Sequence, residues 1–168
     1  YTTIAYAKYF EDAQQVLGLP ADVLQAAADA ASADGKRGWK FTLHAPSYMP
    51  VMQYAAYRPL REELYRAYTT RAAEFGQPEW DNTALITQIL QLRQEAARLL
   101  GFKSYAEVSL ATKMAQTPAE VLEFLQALAV RAKPFAEQDL TELRAFAVEH
   151  DGLQGVHAWD VVYYGEKL

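Results

Sequence analysis

The chain has 168 residues, of which 51% are hydrophobic and 22% charged, with a formal net charge of −5 at pH 7. That length suits one domain with room for a core, and the composition excludes wholesale disorder. Basic residues are dispersed and flanked by acids, as in Arg61-Glu62-Glu63. They read as a solvated helix face, not as the concentrated basic face a phosphate backbone needs, so no nucleic-acid partner is expected.

Ala-rich and Leu-rich runs favour helix over sheet, and the pattern predicts a mainly all-α fold, a multi-helix array. Leu19-Pro20 opens a helix over Ala21 to Ala33, closed by Asp34-Gly35. Trp39 to Leu43 alternates large apolar with polar residues, then meets Pro46 and Pro50. This reads as a short strand near 39–44 followed by a turn, and as the one β element. Helical spacing is expected from Val51 onward. Pro59 suits a first turn, with Leu60, Leu64 and Ala67 on one face, broadened by Tyr65, Tyr68 and Phe75. Gly76-Gln77-Pro78 is expected to stop that helix. Asp81 or Asn82 can cap the next, whose stripe is Leu85, Ile89, Leu92, Ala96 and Leu99, ended by Gly101.

Ser104 with Glu107 has the form of a capping box before a short helix to about Met114. Thr117, Pro118 and Glu120 start a long helix whose stripe runs Val121, Leu125, Leu128, Ala132, Ala136, Leu140, Leu143 and Ala147. Pro134 is expected to bend it. Gly152 and Gly155 break the chain. A last helix begins near Trp159 with Asp160 in its first turn, and the uncapped Glu166-Lys167-Leu168 reads as a cut.

Chemistry is sparse. With no Cys, disulfides, thiolate zinc sites and Cys nucleophiles are excluded, which sits with a cytoplasmic location. No apolar run approaches the roughly 20 residues that span a bilayer, so no membrane partner is expected. Tyr1 to Phe10 lack the basic start and apolar centre of a signal peptide, and a start at Tyr1 without Met reads as a processed or excised chain. The histidines are His44, His150 and His157, with no His-Glu-x-x-His. Gly152 and Gly155 separate His150 from His157, so that pair is not expected on one helix face. There is no Gly-x-Ser-x-Gly, no phosphate loop and no base near Ser47. Adjacent acids such as Glu11-Asp12 and Glu62-Glu63 point in different directions, and the acids read as solvent-facing. Tyr54, Tyr57, Tyr65, Tyr68, Tyr163 and Tyr164 suit either a peptide-binding wall or helix packing with hydroxyls at the edge; packing is the reading preferred.

Several blocks, in order, resemble the thimet oligopeptidase and oligopeptidase A family of zinc metallopeptidases, its bacterial oligopeptidase A branch above all. They are Pro46 to Met52 with Tyr54-Ala55; Leu60 to Arg71; Leu92-Arg93; Ala97 to Phe102; Ser109 to Ala115; and Ala158 to Lys167. The resemblance implies a two-lobed helical parent enzyme with a deep channel that admits short peptides and excludes folded proteins. It implies zinc in that parent, held by a His-Glu-x-x-His helix and a further Glu that lie beyond the Trp159–Lys167 block. Residues 1–168 would then be a single helical fragment of the non-catalytic portion, scaffold and channel wall, inactive alone. No catalytic residue, metal ligand or cofactor of its own is expected, and the substrate-binding residues do not follow from the sequence. The partners implied are short peptides and the remainder of the parent polypeptide. The alternative is a stand-alone helical peptide- or protein-binding module without catalysis.

Overall fold

The structure, a computed structural model, describes residues 5–168; residues 1–4, and with them the Tyr1 start, lie outside the described residues. The chain forms two compact units, Tyr1–Asp81 with Glu142–Leu168, and Asn82–Thr141. Among the described residues there are seven α-helices, two 3-10 turns and one two-stranded sheet, a mainly all-α fold.

In the first unit, strand β1 (Ala7–Phe10) pairs antiparallel with β2 (Trp39–Thr42), setting Ala7 opposite Thr42 and Phe10 opposite Trp39. The β2 expectation is met. The expectation of a lone β element is corrected, because β1 has no readable alternation: only Phe10 of its four residues is buried. Its anchors are polar and distant. Tyr9 OH donates to Asp34 Oδ2 at 2.6 Å, Lys36 lies over the Tyr9 ring at 3.7 Å, and Lys40 pairs with Asp34 at 2.6 Å. Gly38 feeds β2 with φ +79, and a Cβ there would stand 2.0 Å from Phe10 O. Only glycine allows the strands this approach.

Helix α1 (Ala21–Ala33) turns Ala27 and Ala31 inward and packs on β2. Helix α2 (Ala45–Tyr54) replaces the expected turn and starts six residues before Val51. Pro46 occupies its first turn, where no N–H partner is needed, and Pro50 removes one further bond. Burial of Tyr48, Val51 and Met52 outweighs that loss. Ser47 Oγ accepts from Thr42 N at 2.9 Å and ties the helix start to β2.

Helix α3 (Arg58–Thr69) begins with Pro59 in its first turn as expected, but ends seven residues before Gly76. The hydroxyls of Thr69 and Thr70 turn back onto Tyr65 O at 2.9 Å and Arg66 O at 2.7 Å, the competition that makes threonine a poor late-helix residue. Phe75, assigned to that helix face, is 77% exposed beyond it. The main core joins Phe10, Phe41, Leu43, Val51, Met52, Leu60, Leu64 and Trp159. A second cluster joins Leu143, Ala147, Tyr163 and Tyr164.

In the second unit, α4 (Thr83–Leu99) follows Asn82 at its N-cap position. The Ser104 cap of α5 (Tyr105–Leu110) accepts from Glu107 N at 3.4 Å. Glu107 returns to Lys103 N at 2.8 Å, one residue further back than a standard capping box, and α5 stops four residues short of Met114. Helix α6 (Pro118–Asp151) runs unbroken through Pro134. Its start repeats the pattern of α5, with Glu120 N donating to Thr117 Oγ1 at 3.2 Å and Gln116 N to Glu120 Oε2 at 2.8 Å. The stripes assigned to α4 and α6 do not form a core among the described residues of this unit. Leu85, Ile89, Leu92, Leu125 and Leu128 are all exposed, and Ala97 alone is buried. Helix α7 (Ala158–Gly165) closes the described chain.

Candidate functional site

Arg58 and Arg61 stand three residues apart on α3, one above the other on the same face. Asp160 is the third residue of α7, where the exposed N–H groups of the helix start favour a carboxylate. The two elements meet through it. Asp160 Oδ1 accepts from Arg58 Nε and Arg61 Nη2, both at 2.9 Å. Asp160 Oδ2 accepts from Arg58 Nη2 at 2.8 Å and from His157 N at 3.0 Å. Arg61 spends its other donors on carbonyls: Nη1 donates to Ala55 O at 2.6 Å, and Nε to Trp159 O at 3.3 Å.

Arg61 is 1% exposed and Asp160 0%. The expectations that Arg61 lies on a solvated face and that the acids face solvent are corrected for these two residues. Arg61 falls beside the Leu60, Leu64 and Tyr65 face, so helix geometry carries it inward with its apolar neighbours. Burial pushes the Asp160 carboxyl up, but the hydrogen bonds from Arg58, His157 N and Arg61 outweigh it and hold the group below the usual carboxylate range. The same carboxylate, with a lesser opposing burial cost, holds Arg58 above its ordinary value.

Aromatic rings flank the pair. Arg61 lies over the Tyr163 ring at 4.0 Å, Arg66 over Trp159 at 4.8 Å, and His157 stacks on Trp159 at 4.6 Å. Trp159 Nε1 is buried and has no hydrogen-bond partner among the described residues. Nearby, Tyr54 OH and Gln53 Nε2 donate to Glu166 at 3.0 and 3.2 Å. Tyr164 OH donates to Asp151 at 2.9 Å, and burial together with that bond pushes its hydroxyl up to about 12. Tyr48 and Tyr68 stack at 4.3 Å. Tyr54, Tyr68 and Tyr164 thus each make a contact from one helix to another.

The arrangement is a clamp between α3 and α7. Both Asp160 oxygens are saturated by cationic and backbone donors, and Arg61 has its guanidinium committed to carbonyls and Asp160. Such groups neither accept a substrate proton nor release one. The histidines stand apart: His44 at the start of α2, His150 beside Asp151 at 3.0 Å, His157 on Trp159. Among the described residues, no three His, Cys, Asp or Glu side chains come together as metal ligands.

The profile of peptidase family M3 matches residues 51–168, a stretch that contains α3, α7 and the whole clamp. The chain belongs to peptidase family M3. Within it, oligopeptidase A of Haemophilus influenzae is 48% identical over 167 residues, covering 98% of this chain and 24% of that protein. Oligopeptidase A of Escherichia coli is 47% identical over 167 residues, covering 98% of this chain and 25% of that protein. The probable cytosolic oligopeptidase A of Arabidopsis thaliana is 42% identical over 175 residues, covering 99% and 24%. The M3 chain thus spans about a quarter of the length of the curated relatives it matches. Among the described residues, no helix is long and apolar enough to cross a membrane.

Proposed function

We propose that the chain is a helical, non-catalytic segment of a zinc-dependent metallo-oligopeptidase that hydrolyses short peptides, where it serves as scaffold and channel wall. The observation that carries this reading is the alignment itself: 98% of the chain against 24% of the Haemophilus influenzae oligopeptidase A. The clamp supports it, because polar groups that are saturated internally hold helices in place and leave nothing to offer a substrate. In this reading zinc and the activated water belong to other parts of the parent polypeptide, and the substrates are short peptides that enter its channel. The setting is cytoplasmic, in keeping with the name of the Arabidopsis cytosolic relative.

The test uses the purified 168-residue chain with fluorogenic short peptides, with and without added zinc. The expected result is no turnover and no tight zinc binding. Turnover that a chelator abolishes would place chemistry in this chain and overturn the reading.

A further inference from the structure

An amphipathic helix in water hides its apolar sector, and a wide open sector marks a surface made to be covered. On α4 one sector carries Gln88, Gln91 and Glu95 with the small Ala84 in line, spaced by fours and threes. The other side carries Leu85, Ile86, Ile89, Leu90 and Leu92, every one of them exposed and Leu92 by 63%. The part of α6 in the same unit repeats the feature: Leu122, Phe124, Leu125 and Leu128 are all exposed. The sequence pattern therefore specifies a buried face that the described residues of this unit leave open.

The occupant follows from the comparisons. Relatives align over 98% of the chain, so the open face belongs to sequence they share, while about three quarters of their length lies outside it. A second copy pairing through these same faces would already slow labelling in the isolated chain. We propose that the apolar sector of α4, with the Leu122–Leu128 face of α6, is the surface on which the remainder of a family M3 polypeptide packs. This rests on the reading of the chain as a segment of such an enzyme.

The absence of Cys makes any introduced thiol unique in the chain. Three variants are compared: Leu92→Cys and Leu128→Cys on the apolar faces, and Gln91→Cys on the polar sector as reference. Maleimide labelling is followed by peptide mass mapping, first in the isolated chain and then in Haemophilus influenzae oligopeptidase A whose matching segment is replaced by this chain. In the isolated chain all three thiols react alike. In the chimera the Leu92→Cys and Leu128→Cys thiols slow by at least about tenfold relative to Gln91→Cys, as burial predicts.

Equal rates in the chimera overturn the proposal, and so does slow labelling at Leu92→Cys in the isolated chain, since the face is then already covered. Peptidase turnover by the chimera separates the two readings. Protected thiols without turnover keep the docking surface and remove the peptidase role; turnover with reactive thiols does the reverse. A second measurement stands if the chimera does not fold. Leu92→Gln with Leu128→Gln in the isolated chain is expected to halve binding of a hydrophobic dye or more, with helix content unchanged. Unaltered dye binding overturns the proposal.

Discussion

Asp160→Asn tests the clamp most directly. The substitution keeps the size of the side chain but removes its charge and turns an N–H₂ toward donors that need an acceptor. Arg61, whose side chain is 2% exposed beside an Asp160 side chain at 0%, is then left buried without its counter-charge. Breaking such a buried pair from one side costs about 3–5 kcal/mol, a large part of the roughly 5–15 kcal/mol that stabilises a domain. Arg58 is different, because its side chain is 35% exposed and water can replace the lost contact. Arg58→Gln is expected to cost about 1 kcal/mol.

Trp39, Trp80 and Trp159 are the chain's three tryptophans, and all lie in the first unit, so their fluorescence in urea follows that unit alone. At an m value of about 2 kcal/mol/M, Asp160→Asn lowers the midpoint by about 1.5–2.5 M. The pH dependence has a definite sign. Asp160 is held below its ordinary value in the fold, so its contribution is present above the unfolded pKa of about 3.9 and is lost as pH falls through the folded value. The gap between the original chain and Asp160→Asn should hold down to about pH 4 and close below it. If Asp160→Asn costs no more than Arg58→Gln, or the gap ignores acid, the clamp reasoning fails.

Gly38→Ala should destabilise the first unit by more than about 2 kcal/mol, since left-handed strain adds to the collision with Phe10 O. Gly35→Ala, at φ +68 with nothing within 4 Å of the new Cβ, should cost only about 1 kcal/mol; equal thermal shifts would remove the close-approach argument. Tyr48, raised chiefly by burial, and Tyr164 sit at about 12 instead of 10.0. Their contribution is full below pH 10 and is lost as pH rises toward 12. Tyrosinate absorbance should show a late class of tyrosines that Tyr48→Phe diminishes, and a single transition near the ordinary value would refute this. Ser104→Ala removes the cap of α5 and should cost about 1 kcal/mol by circular dichroism of thermal unfolding; no change would mean that the Glu107 bond to Lys103 N suffices.

The elements legible in the sequence are those whose signals are local. Leu19-Pro20, Pro59, Ser104 and Thr117-Pro118 mark helix starts through backbone rules that act within one turn, and the structure keeps each of them. Strand β1 was illegible because its partner is about thirty residues away and its ties are to Asp34 and Lys36. Helix α2 is hidden from a local reading because two prolines outweigh, in local terms, what burial of Tyr48, Val51 and Met52 restores. The clamp left half a signal. Asp160 was readable as a first-turn acid, and Arg61 could have been flagged by its position beside Leu60 and Leu64. Their pairing depends on two segments meeting across 99 residues, which no local pattern carries. The stripes of α4 and α6 are legible as apolar faces, but a pattern states that a face is meant to be covered without naming the cover.

The distance between Arg61 and Asp160 also sets a timetable. The first unit is interrupted by sixty residues of the second, Asn82–Thr141, so a ribosome releases α3 long before α7 exists. At about 5–20 residues per second, the guanidinium of Arg61 waits about 5–20 s for its carboxylate. During that interval Leu60 and Leu64 can already gather with Phe41 and Val51, but they do so around an uncompensated charge that must stay wet. A nascent chain paused before Trp159 should therefore remain loose and chaperone-sensitive, and synthesis of α7 should act as the latch.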